Sequence, residues 1–271
     1  MAVSQPVWPT ISVAKLRLAC RLLTAKGRSS EGAFLAEGPQ AVREALAFGD
    51  VAGVIVSESA TGQSRSLAKT AADGRRPVFL ATDDQLATVT DTVHGQGIVA
   101  ICRRPTPALG DLTGGLLLLL DQVRDPGNVG TLIRTADAFG ARGVIATAGT
   151  AEVFAPKVVR ASVGSVFHLP VVTGVAFEDA VAWARARGYR LLGADAAGVS
   201  LDGAGHQLES PTVWVVGNEA HGLPKDHTGR LDEIIAVPMW GRAESLNVAT
   251  AAAICLYESA LCQSRPQSAT P

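Results

Sequence analysis

The chain has 271 residues, of which 47% are hydrophobic and 18% are charged, and its formal net charge is −1. This composition excludes a mainly disordered chain and an overall polycation, so any contact with nucleic acid must come from local basic patches. Four scattered cysteines without a C-x-x-C pair argue against a zinc site or a disulfide framework and are typical of a reducing compartment. No signal peptide is recognised, and the longest apolar run, Leu116–Leu120, is too short to span a membrane. We therefore expect a cytoplasmic protein without membrane contact.

The first half of the chain opens with a basic segment. Apolar residues recur at three- and four-residue spacing over residues 11–28, which predicts one helix with basic side chains between them. Residues 1–110 hold 12 Lys and Arg against 9 Asp and Glu. The segment is either a solvated helix face or a surface that binds RNA phosphates. On the second interpretation the candidate RNA-binding residues are Lys15, Arg17, Arg21, Lys26 and Arg28.

A small α/β domain is predicted for the rest of this half. The patterns indicate a helix followed by three strands, over residues 39–49, 51–57, 77–81 and 97–103. The segment 103–115 is rich in Pro and Gly, which is typical of a linker between domains. We place a first domain at residues 1–104 and the linker at 105–115.

The second half predicts a parallel sheet with helices on both faces, because apolar strands alternate with helices. Strands are predicted at residues 116–123, 143–148, 169–172, 189–196, 212–219 and 233–239. Helices are predicted at 128–141, 155–167, 176–188 and 246–261. We place this domain at residues 116–264 and a frayed tail at 265–271. Ligands of such sheets bind at loops beyond the carboxyl ends of the strands.

Three of these loops carry candidate functional residues. The first, at 121–141, has a turn followed by Asn128, a candidate helix cap, and by Arg134 inside the helix. The second, at 215–224, contains Gly217 and Glu219, and the third, at 235–253, contains Ser245, a candidate cap of the last helix. Each loop alone is compatible with a plain strand–turn–helix unit.

Other site types have little support in the sequence. There is no G-x-G-x-x-G after a strand, no Walker loop and no G-x-S-x-G elbow, which argues against nucleotide-binding folds of those types and serine hydrolases. The histidines lack metal-ligand spacing, so we expect surface residues and no metal site at His94, His168, His206, His221 and His227.

Taken together and in order, the three loops resemble the motifs of the SpoU/TrmH-type RNA ribose 2′-O-methyltransferases of the SPOUT superfamily. The matching stretches are NVGTLIRTADAFGA (128–141), VVGNEAHGLP (215–224) and IAVPMWGRAESLNVATAAAICLYE (235–258). In the first half, LAEGPQAVREAL (35–46) is similar to the opening of the family's substrate-binding extension, which has an L30e-like fold. This combination resembles the rRNA-modifying members, including thiostrepton-resistance-type enzymes.

The resemblance implies a fold, a cofactor and an assembly. The C-terminal domain would contain a deep trefoil knot, although general rules of chain topology argue against knots. The knot would bind S-adenosylmethionine (AdoMet), with backbone contacts from Gly217, Val237, Met239 and Leu246. The protein would be a homodimer that acts on RNA, and the resemblance to the rRNA-modifying members implies 23S rRNA as its substrate.

The resemblance also implies catalytic roles. Arg134 is expected to be essential, and the family often assigns the matching arginine as the base. A guanidinium is effectively never deprotonated in proteins, so Arg134 could instead stabilise an alkoxide or hold a phosphate, and its role stays open. Asn128 would orient Arg134 or the substrate, and Glu219 would position Arg134 or a hydroxyl. Ser245 and Asn247 would hold the cofactor loop and the ribose. Trp240 would either stack on a base or cover the site.

Two alternatives remain open on the sequence. A non-catalytic RNA-binding or ribosome-assembly protein would also use the basic segment, although the five intact candidate catalytic residues argue against it. The other alternative is a methyltransferase that acts on a base or on tRNA, including a tRNA 2′-O-methyltransferase. Other branches of the superfamily modify guanine bases, but their motifs differ from these three loops. The choice between tRNA and rRNA depends on the first domain alone.

Overall fold

The computed structural model describes residues 8–90, 96–203, 205 and 208–264. Its strands are β1 (Ala33–Glu37), β2 (Val51–Ser57), β3 (Val78–Ala81), β4 (Ile98–Arg103), β5 (Leu116–Leu120), β6 (Val144–Thr147), β7 (Val171–Val175), β8 (Arg190–Ser200), β9 (Thr212–Val216) and β10 (Glu233–Ala236). The predicted tail at 265–271 lies outside the described residues.

The α-helices are α1 (Val13–Arg21), α2 (Ala25–Glu31), α3 (Gly38–Phe48), α4 (Gly62–Asp73), α5 (Asp83–Ala87), α6 (Pro126–Ala138), α7 (Pro156–Ala161), α8 (Phe177–Ala186), α9 (Lys225–Thr228) and α10 (Val248–Ser264). Among the described residues, none of these helices combines the length and the apolar character needed to cross a lipid bilayer.

The strands form two sheets. Strands β1-β4-β2-β3 make a mixed sheet in which β2 and β3 are parallel. Strands β10-β8-β9-β5-β6-β7 make a second sheet whose pairings are all parallel, as the sequence predicted. Every residue of the central strand β5 is buried, as expected for a parallel strand with both faces covered.

The chain divides into two compact units that are not continuous in sequence. Of the described residues, those within 1–105 and 154–167 form the first unit, and those within 106–153 and 168–264 form the second. Residues 154–167, which the sequence analysis assigned to the C-terminal domain, thus belong to the first unit. The end of the predicted linker is part of the second unit, because Leu112 is buried in the core that covers the parallel sheet.

Aromatic packing ties residues 154–167 to the first unit. The Phe34 ring on β1 lies 4.8 Å from that of Phe154 and 5.7 Å from that of Phe167, measured between ring centroids. On α7, Arg160 makes an ion pair of 3.2 Å with Glu37 at the end of β1. Burial of these rings contributes stability that neither stretch of chain supplies alone.

Two predicted helices are wrong in extent. The segment 11–28 forms α1 and α2, because Thr24 is extended and its side chain caps α2 by accepting from Gly27 N–H. The segment 155–167 forms α7 and a short 3₁₀ turn, because Val163 and Gly164 have φ of +52° and +103° and cannot continue a helix. The sequence analysis did not identify β1, α4, α5 and α9.

Candidate active site

The three candidate loops leave one edge of the parallel sheet. Leu120 at the end of β5 pairs with Val216 at the end of β9, so the loops that follow these two residues begin side by side. Strand β10 pairs with β8, which in turn pairs with β9, and all three run in the same direction. The third loop therefore starts from the same edge, where ligands of parallel sheets bind.

The carboxylate of Glu219 joins the first two loops. Its Oε2 accepts the backbone N–H of Arg124 at 3.2 Å, and its Oε1 accepts the backbone N–H of Asp125 at 3.0 Å. The side-chain amide of Asn128 also donates to Oε1, at 3.1 Å. Three donors on one carboxylate fix both loops in one arrangement.

These donors also determine the charge of Glu219. Burial opposes its ionisation, but hydrogen bonds from its own backbone N–H, the Asn128 amide and the backbone of Asp125 and Arg124 outweigh burial. The pKa of Glu219 therefore lies below its ordinary value of 4.5. At neutral pH the side chain is an acceptor, and it has no proton to give to a substrate.

The third loop joins the same network through Asn247. The Asn247 Nδ2–H donates to Asn128 Oδ1 at 3.0 Å, so hydrogen bonds run from Asn247 through Asn128 to Glu219. The Asn247 Oδ1 accepts the N–H of Ala249 at 2.9 Å and caps α10. The same side chain thus caps the start of α10 with its Oδ1 and binds Asn128 with its Nδ2.

The structure corrects two predicted caps. Helix α6 is capped by Asp125, whose side chain accepts the Asn128 N–H at 2.9 Å, because Pro126 starts the helix directly after it. Asn128 therefore lies inside the first turn, and its amide is free to bind Glu219. Ser245 does not cap α10, because the helix begins at Val248 and Asn247 takes this role.

A pocket of about 510 Å³ lies beside the network. The four residues proposed for cofactor contact all line it, and these are Gly217, Val237, Met239 and Leu246. It is also lined by the candidate catalytic residues Glu219, Ser245 and Asn247, but not by Asn128 or Arg134. Its size falls within the range of small-molecule sites.

Two glycines shape the wall of this pocket. A Cβ on Gly217 would lie 2.5 Å from the carbonyl carbon of Gly222, closer than real Cβ contacts allow. Gly222 has a φ of +64°, a left-handed conformation that suits glycine. The backbones of Gly222 and Asn218 pair through hydrogen bonds of 3.1 and 2.8 Å, which fold the loop back on itself.

Sequence reasoning missed Asp195, which lines the pocket at the end of the pairing between β8 and β9. Its Oδ1 accepts the N–H of Ala197 at 3.0 Å. No lysine or arginine is among the described residues that line the pocket, whereas Asp195 and Glu219 are both acidic. The sequence signal that could have identified Asp195 is its acidic side chain near the end of the strand predicted at residues 189–196.

Arg134 lies on α6, six residues after Asn128, and its side chain is exposed. Within the described part of the chain its guanidinium has no hydrogen bond or ion pair, so neither Asn128 nor Glu219 orients it here. The ring of Trp240 is 89% exposed, which leaves it uncovered on the loop after β10.

The five predicted RNA-binding residues do not share one environment. Arg28 is only 4% exposed, and its guanidinium donates to the carbonyl of Leu22 at 2.8 Å, so it stabilises the junction between α1 and α2. Arg17 and Lys26 are exposed and have no ion pair within the described residues.

The other two basic side chains have partners. Lys15 lies with its ammonium 4.6 Å from the ring centroid of Phe79. Arg21 makes an ion pair of 2.7 Å with Glu31, in which both side chains are partly exposed. Exposed pairs of this kind are weak and leave the cation available to a phosphate.

Histidine placement differs from the prediction at one position. His227 is buried and hydrogen-bonded to Asp121, so the expectation that it is a surface residue is wrong. His168 and His221 are exposed, as expected, whereas residues 94 and 206 lie outside the described part. No group of three potential metal ligands is found among the described residues.

Comparison with known proteins defines the class. The profile of the SpoU rRNA methylase family matches residues 115–257, and that of the RNA 2′-O ribose methyltransferase substrate-binding domain matches residues 35–108. The chain belongs to the SpoU rRNA methylase family.

Two relatives of this chain are named after a specific methylation of 23S rRNA. The chain is 36% identical over 243 residues to the 23S rRNA (guanosine(2553)-2′-O)-methyltransferase RlmP of Bacillus subtilis, covering 88% of this chain and 92% of the relative. It is 33% identical to a 23S rRNA (uridine(2479)-2′-O)-methyltransferase of Streptomyces viridochromogenes, covering 86% and 84%. Among solved structures, the methyltransferase AviRb of S. viridochromogenes in complex with AdoMet is 29% identical, with a TM-score of 0.82 and coverage of 92% and 98%.

Proposed function

We propose that this chain transfers a methyl group from AdoMet to a ribose 2′-hydroxyl of 23S rRNA. The observation that carries the proposal is the chain of hydrogen bonds from Asn247 through Asn128 to Glu219 at the edge of the pocket. It joins all three motifs that define the resemblance at one place. The two relatives act on a guanosine and a uridine, so the proposal extends to the rRNA ribose and not to one nucleotide.

The pocket suits AdoMet in size and charge. Its volume of about 510 Å³ and the close backbone approach at Gly217 fit a small ligand held by loops. The acidic residues Asp195 and Glu219 line it without a lysine or arginine among the described lining residues, which favours a cation. When bound, AdoMet supplies a methyl group activated by a positively charged sulfur.

The protein residues would position the ribose and stabilise charge. Transfer needs the 2′-oxygen in line with the methyl group, loss of its proton and a site that excludes water. Among the described residues the Arg134 guanidinium has no hydrogen-bond or ion-pair partner, and we propose that it holds a phosphate or stabilises the developing alkoxide. The ionised Glu219 fixes the loops, and Ser245 and Asn247 face the pocket.

Assembly and location complete the proposal. The homodimer and the trefoil knot follow from the resemblance of the three motifs and stay predictions. Sedimentation velocity at micromolar concentration tests the dimer, and a single species of one chain's mass would exclude it. We also propose that the reaction takes place in the cytoplasm, a reducing compartment that the free cysteines fit.

A methyl-transfer assay tests the function. The protein is incubated with AdoMet labelled in its methyl group and with RNA from cells that lack the gene, and the RNA is fractionated and digested to nucleosides. Label on a 2′-O-methyl nucleoside from 23S rRNA is the expected result, and Arg134→Ala is the matched inactive control. Label in tRNA would overturn the substrate, and neither label nor AdoMet binding would favour a non-catalytic RNA-binding protein.

A further inference from the structure

A buried carboxylate lies behind the pocket loop and takes no part in the proposed chemistry. Asp121, the residue after β5, is 1% exposed. Its Oδ2 lies 2.6 Å from His227 Nδ1, and its Oδ1 lies 3.1 Å from the hydroxyl of Thr147. A carboxylate accepts hydrogen bonds, so this bond is the one made by the tautomer of His227 that has its hydrogen on Nδ1.

The imidazole is held in place from a second side. The ring of Phe177 stacks on His227 with centroids 3.8 Å apart and an angle of 3° between the planes. The other ring nitrogen, Nε2, lies 4.0 Å from the exposed carboxylate of Asp226. Stacking, burial and the bond to Asp121 leave the ring a single orientation.

The backbone beside this pair supports the start of the pocket loop. The N–H of Asp121 donates to the carbonyl of Val216 at 2.8 Å. The carbonyl of Gln122 accepts from the side-chain amide of Asn218 at 3.1 Å. These two bonds bracket Gly217, the pocket residue between Val216 and Asn218.

Gln122 adopts an unusual conformation to make this contact. Its φ is +56°, a left-handed value that non-glycine residues rarely take. Its N–H donates to the Thr147 hydroxyl at 3.1 Å, and the same hydroxyl bonds Asp121. Strain of this kind persists only where surrounding contacts fix it, and here these contacts are the bonds to Thr147, which also binds Asp121, and to Asn218.

We propose that the Asp121–His227 pair is a brace that holds the pocket loop, residues 217–224, in its AdoMet-binding conformation. Asp121 adjoins the start of the loop, and His227 follows its end by three residues. The pair therefore connects the two ends of the loop, and neither of its residues lines the pocket. His227 is a positioning residue, and the inference rests on the proposed AdoMet binding.

Three variants separate the hydrogen bond from the ring. His227→Phe keeps a stacked ring but removes the donor to Asp121. His227→Asn restores a donor near the position of Nδ1 without the ring. His168→Phe is the matched control, because His168 also pairs with a carboxylate, that of Asp137 at 2.7 Å, but neither of these two residues adjoins the pocket loop in the sequence.

The dissociation constant of AdoMet, measured by titration calorimetry on the full chain, is the main readout. His227→Phe should weaken AdoMet binding about tenfold, the equivalent of one hydrogen bond to a charged group. The KM for AdoMet should rise with it, while the affinity for RNA stays unchanged. His227→Asn should regain most of the affinity, and His168→Phe should match the wild type.

Three results would count against the brace. If His227→Phe melts at a lower temperature but binds AdoMet as the wild type does, the pair is structural only, and the inference fails. If His227→Phe does not fold, Asp121→Asn takes its place, and an unchanged AdoMet affinity in that variant overturns the inference. If the wild type itself binds no AdoMet, the proposed function fails first.

Discussion

Asn247 donates a hydrogen bond of 3.0 Å to Asn128 across 119 positions of chain, and the same amide group caps α10. One side chain thus couples the start of the last helix to the first motif loop. Because Asn128 passes the contact on to Glu219, the three motifs form one unit, although Asn128 itself does not line the pocket.

Because Asn128 and Asn247 belong to one hydrogen-bond network, the effects of their substitutions on kcat should not add. Asn128→Ala and Asn247→Asp should each lower kcat, and the double variant should lose little more than either single one, because both break the same network. Asn247→Asp retains the cap oxygen and removes only the donor to Asn128, so its melting temperature should stay near that of the wild type. Additive losses in kcat would show that the two residues act independently.

Arg134 has no partner among the described residues, so its removal should cost little stability. Arg134→Ala should lower kcat at least about a hundredfold, as removal of a charge-stabilising donor does, while AdoMet affinity is unchanged. Arg134→Lys should not rescue a role that needs the planar fork of a guanidinium. Labelled methyl transfer and calorimetry measure the two effects, and transfer at the wild-type rate would exclude the role.

The lowered pKa of Glu219 predicts a dependence of stability on pH. A carboxyl whose pKa is depressed by folding contributes stability above its unfolded pKa and loses it as the pH falls through the folded value. The difference in unfolding free energy between the wild type and Glu219→Gln should therefore be constant above about pH 5.5 and shrink below about pH 4.5. Denaturant unfolding from pH 3 to pH 7 provides the curve, and a constant difference throughout would contradict it.

A methyl group on Gly217 should displace the pocket loop and weaken AdoMet binding. In Gly217→Ala the new Cβ would lie 2.5 Å from the carbonyl of Gly222, and backbone cannot move away as a flexible side chain can. AdoMet binding should fall at least about tenfold because the loop must shift. Gly241→Ala is the matched control, since its Cβ would meet no atom within 4 Å. Equal AdoMet affinity in the two variants would show that the close approach is irrelevant to binding.

The basic residues of α1 and α2 should separate into two groups. Arg17→Ala with Lys26→Ala should weaken RNA binding and reduce the salt slope by about 1 to 2, because two phosphate contacts are lost. Arg28→Ala should instead lower the melting temperature, since it leaves the Leu22 carbonyl without its partner. An unchanged salt slope in the first variant would mean that this surface is only solvated.

Sequence patterns predicted the parallel sheet well, because long apolar strands and helical periodicity depend on local composition. The resemblance of the three motifs, and not the patterns, named Gly217, Val237, Met239 and Leu246, which line the pocket in loops that follow parallel strands. The caps were harder. Asp125 and Asn128 are both good capping residues, and only the position of Pro126 decides between them.

Contacts between distant residues could not be predicted from the sequence. Nothing near His227 in the chain indicates that it meets Asp121, which lies 106 positions earlier. The burial of Arg28 is a similar case, because a basic residue in an amphipathic helix is normally solvated. Both misjudgements concern polar groups whose burial depends on a partner from another element.

The two-part composition of the first unit has a consequence for synthesis on the ribosome. Phe34 emerges early, but its ring partners Phe154 and Phe167 follow more than a hundred residues later. The first unit therefore cannot complete its packing until β5 and β6 of the second unit have been translated. Domains of a chain usually fold one after another from the N-terminus during synthesis. In this protein the first unit cannot finish folding before part of the second unit has been synthesised.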